Sequence, residues 1–161
     1  MGIISIIVFA ALSKKSNIKP PTTSQLQNSQ ATITQESVDY TASFAIFTNG
    51  IFRVFTATMY HNLSKDVFIK TDNPNIVHVK KNGVTWDDFF KTLPMKLTKD
   101  CLTTGTKQIF CTNNNEKLRF YLNGKEDVNA LDKQILNGDR LLVTYGNENE
   151  EEIQKQLQQI P

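Results

Sequence analysis

Residues 117–145 read KLRFYLNGKEDVNALDKQILNGDRLLVTY, and this stretch decides the fold. KLRFYL carries the β-branched and aromatic content and the alternation of a half-buried strand, and it stops at Asn123-Gly124, the strongest short-range turn signal. A second Asn-Gly pair, Asn137-Gly138, launches residues 139–145 as another strand. Between them Val128, Leu131 and Ile135 mark a short crossing segment with room for one helical turn.

Working back along the chain, residues 43–48 (SFAIFT) and 51–56 (IFRVFT) flank Asn49-Gly50 and read as a β-hairpin. Residues 67–70 and 76–80 form a second strand pair, separated by a turn that contains Pro74. Thr85 then opens a helix: its side chain can cap the amide of Asp88, and Val84 and Phe89 stand at the positions of a hydrophobic staple. Trp86, Phe89, Phe90 and Leu93 fall on one helical face, and Pro94 ends the run. Residues 149–161 place Glu150, Glu151 and Glu152 where the helix dipole favours anions, and set Ile153, Leu157 and Ile160 on a narrow stripe. The expected class is α+β: a mixed sheet crossed by one helix, preceded by an additional N-terminal hairpin and followed by a C-terminal amphipathic helix.

The chain has 161 residues, 39% hydrophobic and 21% charged, with 18 Lys plus Arg against 16 Asp plus Glu and a net charge of +2. So even a balance supplies no field for a nucleic-acid groove, and the composition excludes collagen-like and wholly disordered chains. Residues 1–12 (MGIISIIVFAAL) are apolar or small and are followed by Lys14 and Lys15. Twelve such residues are too few for an ordinary spanning helix, which needs roughly 17 to 25. They read as a signal peptide or as the end of a membrane anchor. Residues 13–37, rich in Ser, Thr, Gln and Asn with Pro20 and Pro21, read as a flexible polar linker. A single domain is expected over 38–161.

The tail LRFYLNGKEDVNALDKQILNGDRLLVTYG resembles the end of small β-grasp domains, where the last strand is central. More closely, IVHVKKNGVTWDDFFKTLPMKL, the two cysteines, EKLRFYLNGKED and GDRLLVTYGNENEEEIQKQL resemble a group of uncharacterised membrane-anchored extracytoplasmic proteins of archaea and candidate-phylum bacteria. Members of that group carry His-x-His pairs on early strands. Here Lys80 stands two residues after His78, and the preceding strand offers Phe68 and Lys70 instead of imidazoles.

Cys101 and Cys111 are the only cysteines. A hairpin with a three-residue loop at residues 105–107 sets them directly opposite one another, as a structural disulfide requires. No Cys-x-x-Cys, Gly-x-Ser-x-Gly or phosphate-loop motif occurs, no cofactor is indicated, and Asp87 and Asp88 are accounted for by capping. His61 and His78 could form an open metal site with Met59, Asp66 or Asp72, a donor set suited to copper or zinc. Alternation turns His78 away from the core, beside Lys80. Lys80, Lys81, Lys96, Lys99 and Lys107 could form a weak basic patch. Asn62-Leu63-Ser64 matches the glycosylation acceptor pattern.

The expected function is a non-enzymatic, extracytoplasmic binding or interaction module, membrane-anchored or secreted. Its exposed sheet face or edge would engage a protein or small-molecule ligand, and the N-terminal segment would engage the membrane; nucleic acid is not expected. Two other readings are a metal-handling or redox domain with a degenerate His site, and a subunit of a surface filament or lattice; the same exposed edges are compatible with self-association.

Overall fold

The computed structural model describes residues 36–161. The segment expected at 1–12 and nearly all of the linker expected at 13–37 lie outside them. Ten strands and two α-helices follow in order: β1 Ser37–Thr48, β2 Ile51–Phe52, β3 Val67–Ile69, β4 Ile76–Lys81, α1 Trp86–Thr92, β5 Lys96–Leu97, β6 Cys101–Thr103, β7 Ile109–Cys111, β8 Lys117–Leu122, β9 Lys125–Glu126, β10 Arg140–Gly146 and α2 Glu150–Gln158. Short 3-10 turns occupy Thr58–Tyr60 and Ala130–Asp132.

The main sheet runs β3-β4-β1-β10-β8-β9, with β2 added to the end of β1. β1 and β10 are parallel, and every other pairing is antiparallel. A parallel pair needs a crossover, and α1 lies on that path. The first and last strands are therefore central neighbours. β5, β6 and β7 form a separate three-stranded sheet.

The N-terminal hairpin is present, closed by Asn49 and Gly50 with φ of 52° and 73°. Its first strand is not an addition to the sheet but the sheet's centre, and β4 pairs along its first half across an intervening stretch of residues 49–75. Its second strand stops after Phe52. Phe55 leaves the strand path to enter the core, 5.1 Å from the Phe44 ring and 5.1 Å from that of Tyr60.

Thr85 and Asp88 make a complete capping box: the Asp88 amide donates to Thr85 Oγ1 and the Thr85 amide to Asp88 Oδ2. Trp86, Phe89 and Phe90 are buried against Phe44 and its neighbours in one continuous core on the inner side of the sheet. α2, capped by Asn149 and Glu152, lies on the outer side. There Ile153 and Ile160, with Leu157, pack on Ala45, Phe47, Tyr121 and Leu142. β10 is thus covered on both faces, which explains its almost unbroken apolar run.

Candidate functional site

The cysteine hairpin forms as its spacing requires. Cys101 pairs directly with Cys111, Thr104 and Gln108 close a three-residue loop, and the sulfurs are bonded with the Cα atoms 4.1 Å apart. The bond fits an oxidising, extracytoplasmic compartment. Among the described residues no helix is long and apolar enough to cross a membrane.

Of the candidate metal donors, His61 and Asp66 are engaged by other residues. His61 is buried; its Nε2–H donates to the Phe55 carbonyl at 2.7 Å, and its Nδ1 lies 3.0 Å from the Thr71 hydroxyl, so both ring nitrogens are engaged. His78 lies on the outer face of β4. Asp66 pairs with Lys81 at 3.8 Å, and Met59 is exposed in the first 3-10 turn. No group of three or more His, Cys, Asp or Glu able to hold a metal occurs among the described residues. Nor do the lysines gather into a patch, since Lys80, Lys81 and Lys99 each face a carboxylate: Asp39, Asp66 and Asp132.

What remains is a surface. On β1 the side chains of Asp39, Thr41, Ser43, Ala45 and Phe47 point outward, and α2 seals only the later part of that row. Beside the earlier part stand Ile76, His78 and Lys80 of β4, each half-buried, while Val77 and Val79 between them are fully in the core. Phe68 completes the row on β3, directly opposite His78 in the register. The imidazole and phenyl rings stack with centroids 5.3 Å apart and planes inclined by 17°. Lys70 Nζ stands 6.0 Å from the centroid of Phe68, and Lys80 is fixed by Asp39 at 2.6 Å. Partial burial, with Lys70 and Lys80 close by, holds the His78 pKa below its ordinary 6.5; Asp39 and Asp72 oppose this more weakly. The Lys80 ammonium in turn holds Asp39 below the usual carboxylate value. The result is an aromatic and imidazole platform edged by cations, carried on three paired strands.

The strand edges offer much less. β2, β5 and β9 have two residues each and β3 and β7 three, and both residues of β9 are charged. At β3 the Ile69 carbonyl accepts from the Asn62 amide, and Ser64 Oγ accepts from the Val67 amide, so residues 62–64 already occupy part of that edge.

Sequence reasoning identified His78 and its direction but not its partner Phe68. The signal was available: a turn centred on Asn73 sets 69 opposite 77, 68 opposite 78 and 67 opposite 79. Comparison with known protein families, with curated proteins and with solved structures found no match.

Proposed function

We propose that this chain is a non-enzymatic interaction module working outside the cytoplasm, held at the membrane by residues 1–12, and that it engages a protein partner through the open outer face of β3, β4 and β1. The observation that carries this is the division of one sheet face. α2 seals β10, β8 and the end of β1, whereas the platform of Phe68, His78, Thr41 and Ile76 has no covering element among the described residues. A rigid, partly apolar surface with a few fixed charges suits protein recognition: the aromatic group supplies area at low entropic cost, and the Lys80–Asp39 pair supplies register. Edge addition is the weaker alternative, because the edge strands are too short to give a partner more than a few ladder bonds.

The test treats the full chain in intact producing cells with a short crosslinker. The unaltered protein is expected to give a discrete higher-mass adduct with a second protein. Phe68→Asp with His78→Asp is expected to remove it, and Glu126→Lys on the opposite edge to leave it. An adduct that survives the paired substitution, or disappears with Glu126→Lys alone, would overturn the assignment.

A further inference from the structure

A cavity of about 200 Å3 lies between the segment that follows β2 and the disulfide hairpin. Its apolar lining includes Ile46, Phe55, Met95 and Leu102, and the hairpin tip closes over it at Gly105. There the two loops meet so tightly that a Cβ on Gly105 would stand 2.5 Å from Tyr60 Oη. The rim carries Arg53. Its Nε donates to Thr48 Oγ1 at 2.5 Å, its Nη1 to Gln108 Oε1 at 3.4 Å, and its guanidinium lies over the Phe110 ring at 5.2 Å.

These three contacts fix the guanidinium plane without neutralising it. The chain has three arginines. Arg119 faces Glu148, and Arg140 donates to the Leu157 and Ile160 carbonyls at the end of α2. Arg53 has no carboxylate partner among the described residues, and its remaining N–H donors stay available. A planar fork held in place beside an apolar pocket matches a carboxylate attached to an apolar body.

We propose that this cavity binds a small organic carboxylate, its apolar part a single ring or short chain seated on Ile46, Phe55 and Leu102 and its carboxylate paired with Arg53. The cavity is below the usual size of drug-like sites, which restricts the occupant to that class. Its floor, Ile46, is an inner-face residue of β1, so the site is separate from the outer platform and does not depend on its role.

Met95 provides the reporter. The chain contains three methionines, of which Met95 lines the cavity and Met59 lies outside the lining, exposed in a 3-10 turn. The full oxidised chain, 13C-labelled at the methionine methyls, is titrated with 3-phenylpropionate and, separately, with 3-phenylpropionamide. The expected result is a saturable shift of Met95 with Met59 unmoved, and binding of the amide weaker by about tenfold or more. Arg53→Gln should weaken the acid by a similar factor while Met59 keeps its position, which verifies the fold. Thr106→Trp, which plugs the mouth with Arg53 intact, should abolish the shift. No movement of Met95 up to about 10 mM acid, equal affinity for acid and amide, or unchanged binding in Arg53→Gln would each overturn the proposal. A peptide with a free C-terminal carboxylate that moves Met95 at lower concentration than the acid would overturn the small-molecule assignment in favour of a protein terminus.

Discussion

Along β1, neighbouring residues meet opposite fates. Val38, Tyr40, Ala42, Phe44 and Ile46 turn inward, to a core in which the Phe44 ring touches those of Phe55, Phe89 and Phe90. Asp39, Thr41 and Ser43 turn outward; Asp39 and Thr41 are exposed, Ser43 is already buried, and from Ala45 onward α2 covers that side. Around Phe44 the inner face is fixed by volume, because a lost methylene there leaves a void among packed rings. The open outer region has no such constraint. Its residues make pairwise contacts, Phe68 with His78 and Lys80 with Asp39, that orient groups without being needed to exclude water. One strand thus carries a close-packed face and, on its other side, an open row whose residues meet only in pairs.

That contrast can be broken most forcefully on the inner face. Phe44→Ala is expected to lower unfolding free energy by about 3 to 5 kcal/mol, measured by urea titration, and to leave part of the population unfolded. Opening the disulfide comes next. Cys101→Ser with Cys111→Ser should lower stability by about 2 to 3 kcal/mol on the loop-entropy account, and reduction of the unaltered chain should match it. Thr85→Ala removes the hydroxyl that accepts from Asp88 and should lower stability by about 1 kcal/mol. Phe68→Ala, which loses one half-exposed aromatic contact, should fall at or below about 1 kcal/mol while removing the crosslinked adduct. A loss as large as that of Phe44→Ala would show that the platform is part of the core after all.

The smallest effect is expected from pH. Because the folded-state pKa of His78 lies below its ordinary 6.5, the unfolded chain binds a proton there before the folded chain does. The contribution of His78 is therefore fully present above pH 6.5 and is lost as pH falls below that value. Urea midpoints at about pH 8 and pH 5 should differ less in His78→Gln than in the unaltered chain. An unchanged difference would place the acid sensitivity elsewhere.

How much of this could be read beforehand depends on sequence distance. The α1 capping box, its Trp86, Phe89 and Phe90 stripe, the register of Cys101 with Cys111, and α2 with its Ile153 contact all depend on residues close in sequence, and each was legible. The pairing of β1 with β4 was not, because residues 49–75 intervene and nothing local specifies which strand completes the sheet. The first half of β1 escaped notice for a related reason. The domain was expected from residue 38 but its first strand only from Ser43, because the inward residues Val38, Tyr40 and Ala42 alternate with the polar Ser37, Asp39 and Thr41. In the crossing segment marked by Val128, Leu131 and Ile135 the helical turn is a 3-10 turn over Ala130–Asp132; Leu131 and Ile135 are buried and Val128, which precedes the turn, is exposed. Arg53 was hidden by the reading of residues 51–56 as a continuous strand, which the inward turn of Phe55 interrupts.

The division of the outer face is tested most directly by placing a photo-crosslinking side chain at Thr41, on the open platform, and in a second protein at Glu126, on the far edge, each in the full chain in its own cells. The account expects a single protein partner captured from Thr41 and lost when Phe68→Asp and His78→Asp are added, with no adduct from Glu126. Capture of the same partner from Glu126, or capture from Thr41 unaffected by the paired substitution, would contradict it.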